Sequence, residues 1–124
     1  MIDFKNGVLF KLRPDKIGTH SSILTPILTN GETVIAEYSS IRDFVVFTNK
    51  RIIAVNVQGL TGKKKDYTTL PYSKIQAFSI ETAGVLDLDA ELELYFSGLG
   101  KVKFEFVGSS NIAEIGRMIS EKIL

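Results

Sequence analysis

From Thr33 to Val107 the apolar residues fall in short β-branched and aromatic runs, and the turn segments between them are too short to hold a crossover helix. Parallel neighbours need connections of roughly a dozen residues or more, so successive runs must pair antiparallel. The runs are Thr33–Tyr38, Asp43–Thr48, Arg51–Val57, Asp66–Leu70, Lys74–Glu81, Asp89–Ser97 and Lys101–Val107, and they predict a seven-stranded antiparallel meander. The sixth is the plainest. Leu88, Ala90, Leu92 and Leu94 alternate with Asp87, Asp89, Glu91 and Glu93, which gives one buried face and one solvated face. Carboxylates at period two on a strand do not wrap an ion as a calcium loop does, so no metal site is expected there.

The period changes at both ends of the sheet region. Asn111 can cap a helix with Glu114 reaching back to it, and Ile112, Ile115, Ile119 and Ile123 form one apolar stripe, so a C-terminal amphipathic helix should pack on the sheet. Gly116 inside that helix costs about 1 kcal/mol relative to alanine, which suggests a close approach to a strand. The first thirty residues keep no single period. Pro14 suits a first helical turn, Pro26 limits another helix, and Asn30-Gly31 is a stop signal, so a partly helical N-terminal extension over residues 1–30 is expected before a domain over residues 31–124.

Composition narrows the function classes. The chain has 124 residues, 44% of them hydrophobic, which is enough for one core. It has no cysteine, which removes disulfides, thiolate metal sites and cysteine nucleophiles and fits a reducing, cytoplasmic setting. Fifteen basic residues face fourteen acidic ones, so no strong field exists to draw in nucleic acid or an acidic membrane. Met1 to Leu12 lacks a signal-peptide pattern, and no apolar run reaches the ~18 residues of a membrane span.

No catalytic constellation is present in the sequence. His20 is the only histidine; its neighbours Ser21 and Ser22 lack nucleophile-elbow context. The acidic residues that can be placed lie on exposed strand positions, where burial cannot push two carboxyl pKa values apart. Lys63-Lys64-Lys65 follows Gly59 and Gly62, but the glycine spacing is wrong for a phosphate-binding P-loop and the run leads into a strand. These lysines, with Arg42, are candidate contacts for an anion or acidic partner; as a solvated loop tip they also oppose edge-to-edge aggregation. No cofactor is implied.

The hairpin around Asn49-Lys50 is unusual. A two-residue turn places Phe44, Val46, Ile53 and Val55 on one face and Val45, Phe47, Ile52 and Ala54 on the other. Both faces are apolar, whereas a domain this small has one core, so either the N-terminal segment or a second copy of the chain must cover one of them.

Seven antiparallel strands closed by a C-terminal helix match the pleckstrin-homology superfold, a bent, nearly closed sheet or barrel with one open end covered by the helix. The wording is more specific. Phe47-Thr48-Asn49-Lys50-Arg51-Ile52-Ile53, Gln58-Gly59-Leu60-Thr61-Gly62-Lys63-Lys64, Pro71-Tyr72, Glu81-Thr82-Ala83-Gly84 and Asp87-Leu88-Asp89-Ala90-Glu91-Leu92, in that order, resemble the bacterial pleckstrin-homology-like domain family. The resemblance implies a mainly β fold, no known enzymatic activity and a tendency to form ring-shaped homo-oligomers, and it favours a second copy as the cover of the hairpin. It does not bring a lipid site, because Ser39-Ser40-Ile41-Arg42-Asp43 lacks the cluster of cations a multiply charged headgroup requires. The expected role is a non-enzymatic, self-assembling protein-interaction module. Two rivals are a peripheral membrane or phosphate-ligand domain using Lys63, Lys64, Lys65 and Arg42, and a peptide receptor that adds a strand to a sheet edge.

Overall fold

The computed structural model describes residues 1–5, 9–107 and 110–124. All seven expected strands are present, and an eighth precedes them. The strands are β1 (Leu9–Asp15), β2 (Val34–Ser39), β3 (Phe44–Thr48), β4 (Arg51–Gln58), β5 (Lys64–Pro71), β6 (Ile75–Glu81), β7 (Ala90–Phe96) and β8 (Gly100–Phe106), with helices α1 (Ser21–Leu24) and α2 (Ile112–Ile123). They form one mixed sheet ordered β5-β4-β3-β2-β1-β8-β7-β6, which is open rather than a closed barrel. Every neighbouring pair is antiparallel except β1 with β8, which is parallel.

β1 corrects the reading of the N-terminus. Pro14 opens no helix; it lies in β1 opposite Tyr38. The strand escaped the sequence pattern because its periodicity is broken. Lys11 has φ of 57°, and the pairing with β8 shifts register between Leu9 and Leu12. Such a bulge re-aims the side chains that follow it, and Leu12 is driven fully into the core. Pro14 is tolerated because the β8 pairing ends at Leu12, leaving a neighbour on one side only. The seam expected at residue 30 therefore does not follow the fold, since residues 9–15 join β2 to β8 in mid-sheet.

The main core takes one face of this bent sheet. Val45, Phe47, Ile52 and Ala54 meet Leu92, Leu94, Phe104 and Phe106 from the second half of the chain, and Ile112, Ile115 and Ile119 of α2 close over them. Asn111 Oδ1 accepts from the Glu114 amide at 3.2 Å while Asn111 Nδ2 donates to Glu114 Oε2 at 3.1 Å, so the expected cap is formed. Gly116 sits where a Cβ would come within 3.0 Å of Ile80 Cδ1, which is the close strand approach its presence suggested. At the open corner, the Met1 ammonium binds Asp66 Oδ2 at 2.7 Å and the Ile2 amide donates to Thr68 Oγ1 at 3.1 Å.

Candidate functional site

The β3–β4 hairpin pairs as its sequence dictates, with Phe44 opposite Val55, Val45 opposite Ala54, Val46 opposite Ile53 and Phe47 opposite Ile52. All eight side chains are buried within the single chain. Val45, Phe47, Ile52 and Ala54 belong to the main core. Phe44, Val46, Ile53 and Val55 form a second core with Leu24, walled by Ile23, Ile27 and Leu28. The chain's own residues 20–28 thus cover the second face, a role for which the resemblance had favoured a second copy. Burial is satisfied without a partner, so the hairpin is not a free self-association surface.

Polar anchors hold this cover down. Glu32 is buried and its carboxylate accepts from Arg51 Nε at 2.8 Å, Arg51 Nη2 at 3.0 Å, Thr48 Oγ1 at 2.7 Å and the Thr29 amide at 3.0 Å. Burial alone pushes this carboxyl up; the bonds from Arg51, Thr29 and Thr48 overcome it and hold the pKa at about 2. Arg51 Nη2 also donates to the Ile27 carbonyl at 2.8 Å and Nη1 to Thr69 Oγ1 at 2.9 Å, so one guanidinium ties the covering segment to β5. At the other end of the cover, the His20 ring stacks on Phe44, with centroids 3.9 Å apart and planes 6° off parallel, and its Nδ1 lies 2.8 Å from Glu37 Oε1. Glu37, itself buried, also accepts from the Gly18 and His20 amides. His20 is an anchor for the fold, with Ser21 and Ser22 opening α1 beside it.

The sequence-predicted cations do come together in part. Arg42 Nη2 donates to the Gly59 carbonyl, which ties the β2–β3 loop to the β4–β5 loop carrying Lys63. Lys63 and Lys64 are exposed, while Lys65 Nζ is turned back onto the Gly62 carbonyl at 2.9 Å. Asp43 Oδ1, beside Arg42, is engaged by Asn56 Nδ2 at 3.1 Å and the Val57 amide at 3.0 Å. The corner is a basic tip whose arginine is already engaged by a backbone carbonyl.

A concave feature lies elsewhere, and sequence reading missed it. A cleft of about 530 Å³ opens between α2 and the ends of β1 and β2. Tyr38 and Ile115 line its apolar side, and Asp15 sits in it with Oδ2 buried and accepting from no described group. Two strands that end out of step make the cleft, a relation that no local periodicity encodes. Among the described residues no three metal-ligating side chains gather, and no helix is long and apolar enough to cross a membrane.

This architecture and these anchors meet known proteins at one point. A family model described as "Bacterial PH domain" matches residues 3–123, nearly the whole chain. The chain belongs to the bacterial PH domain family. Like other chains similar to this PH domain, the uncharacterized protein YjqA of Bacillus subtilis (strain 168) is 43% identical over 99 residues, covering 78% of this chain and 79% of its own length. The uncharacterized protein YozO of the same organism is 30% identical over 105 residues, covering 85% and 90%. Among solved structures, the PH domain is similar to a DUF1696 family protein with a pleckstrin-homology domain from Shewanella loihica, with a TM-score of 0.80 at 36% identity over 93% of this chain and 99% of that one. A pleckstrin homology domain from Shewanella amazonensis gives a TM-score of 0.68 at 36% identity, over 96% and 93%. The family motifs now have physical roles. Thr48 and Arg51 lock Glu32, and the Tyr72 hydroxyl donates to the Thr48 carbonyl at 2.7 Å, fixing the corner after Pro71. Burial raises the pKa of that phenol, so it stays a donor.

Proposed function

We propose that this bacterial PH domain is a non-enzymatic interaction module that assembles with further copies of itself through its two sheet edges. The observation that carries this reading is the open sheet: among the described residues β5 and β6 lie at its two ends, each with a strand on one side only. An unpaired edge is a template for another strand. The N-terminal contacts of Met1 and Ile2 on β5 are to side chains, so they do not replace a strand partner. In an antiparallel pairing of β5 with β6 of the next copy whose register sets Lys64 opposite Glu81, Tyr67 falls opposite Phe78, which joins opposite charges and aromatic rings. The edges are unlike, so the contact is head-to-tail and leads either to a ring or to a filament. A net charge of +1 offers little repulsion against closure.

Light scattering of the purified chain across micromolar concentrations tests the reading. A mass that is a multiple of 13.7 kDa is expected, Lys64→Glu should lower it, and Lys64→Glu with Glu81→Lys should restore it. A monomeric mass throughout would overturn the proposal.

A further inference from the structure

β1 and β2 stop out of step, and the mismatch leaves a short bare edge inside a cleft. β1 ends at Asp15, opposite Glu37, whereas β2 continues through Ala36 and Ile35 to Val34. There β2 pairs with β3 alone, Val34 with Thr48 and Ala36 with Phe47 with a register shift at Ile35 between them, and the side toward β1 carries no strand among the described residues. Ile35 and Ala36 of this stretch line the cleft beneath α2.

The chemistry of the cleft restricts what can fill it. Ile17 and Ile35 line it yet remain 62% and 38% exposed, apolar surface left open by the described residues. Asp15, Glu114 and Glu121 supply carboxylates, and the one guanidinium among the lining residues, Arg117, already lies 3.6 Å from Glu121. Asp15 Oδ2 is the decisive atom, since it is buried and accepts from no described donor. A buried acceptor without a donor is unfavourable, and an incoming cation would relieve it.

From this geometry we infer that the cleft is a docking site for an extended segment of another protein in which lysine or arginine alternates with aliphatic residues. The segment takes the place β1 vacates, adding its backbone to β2 at Val34–Ala36, with aliphatic side chains against Ile17, Ile35 and Met118 and cations toward Asp15, Glu114 and Glu121. Main-chain bonds supply affinity in such strand addition, and the alternating side chains supply selectivity. The site is separate from the β5 and β6 edges.

Fluorescence anisotropy with fluorescein-labelled Lys-Val-Lys-Val-Lys-Val, and Glu-Val-Glu-Val-Glu-Val as its counterpart, tests the inference on the full chain. Saturable binding of the basic peptide alone is expected, with amide chemical shifts changing at Val34, Ile35 and Ala36. Asp15→Asn and Glu121→Lys should each weaken it tenfold or more, as should N-methylation of alternate valines. Circular dichroism verifies the fold of each variant, and Glu121→Lys, on the exposed side of α2, is the safer of the two. Absence of saturation, equal binding of the acidic peptide, or indifference to N-methylation would each overturn the inference. So would a fall in the mass of the protein as peptide binds, because the cleft would then belong to a second copy.

Discussion

Arg51 and Glu32 form a two-pronged ion pair, with Nε and Nη2 at 2.8 and 3.0 Å from the two carboxylate oxygens, beneath the segment that covers the second core. Arg51 lies in the hairpin strand β4, and Glu32 just precedes β2, so the pair ties the approach to β2 to the strand two places away in the sheet. A buried carboxylate in this position makes stability depend on pH. Its pKa falls from 4.5 unfolded to about 2 folded, so its contribution is present above pH 4.5 and is lost as pH drops toward 2. The contribution at neutral pH is at most roughly 3 kcal/mol. Chemical denaturation should show a falling midpoint over that window, and Glu32→Gln should flatten it. A slope unchanged by that substitution would refute the assignment.

Arg51→Ala strands the Glu32 carboxylate in the interior and releases the Ile27 carbonyl at the same time. A loss of about 3–5 kcal/mol is expected, as for a buried pair with one partner removed. Urea unfolding measures it. The double variant Arg51→Ala with Glu32→Ala should be less damaging than the single change, since no unpaired charge remains.

Deleting residues 1–30 should abolish the folded state rather than trim an appendage. The deletion removes β1 from between β2 and β8, takes Leu12 and Leu24 out of the two cores, and uncovers Phe44, Val46, Ile53 and Val55. Each large aliphatic or aromatic side chain exposed forfeits about 1.5–3 kcal/mol, which together exceeds the usual margin of a domain this size. A truncated chain with a cooperative thermal transition and dispersed amide spectra would contradict this.

Vesicles containing phosphatidylserine or phosphoinositide should bind the chain weakly or not at all at physiological salt. Among the described residues Lys63 and Lys64 are the free cations of the basic corner, since Arg42 and Lys65 are turned onto carbonyls, and each contributes only about 1 kcal/mol near an anionic surface. Sedimentation with such vesicles checks it. Robust binding that disappears with Lys63→Glu, a change outside the β5–β6 contact, would give the membrane reading precedence over self-assembly.

How far each element could be read from sequence follows from the range of the forces that form it. β2 to β8 were legible because alternation and turn chemistry act over a few residues, and so was α2, whose Asn111 cap and isoleucine stripe lie within one helix. The hairpin register was legible too, since a two-residue turn fixes which side chains share a face. β1 was not, because a positive φ at Lys11 and a register shift interrupt its pattern, and only contacts with β2 and β8 make it a strand. The two faces of the hairpin showed that a cover must exist, but hydrophobicity has no direction. Whether residues 20–28 or another copy supplied it depended on where His20, Glu37, Glu32 and Arg51 meet in space. The cleft was decided entirely at that level: it exists because β1 ends before β2 does, beneath a helix nearly a hundred residues away, and no pattern confined to neighbouring residues could record that difference.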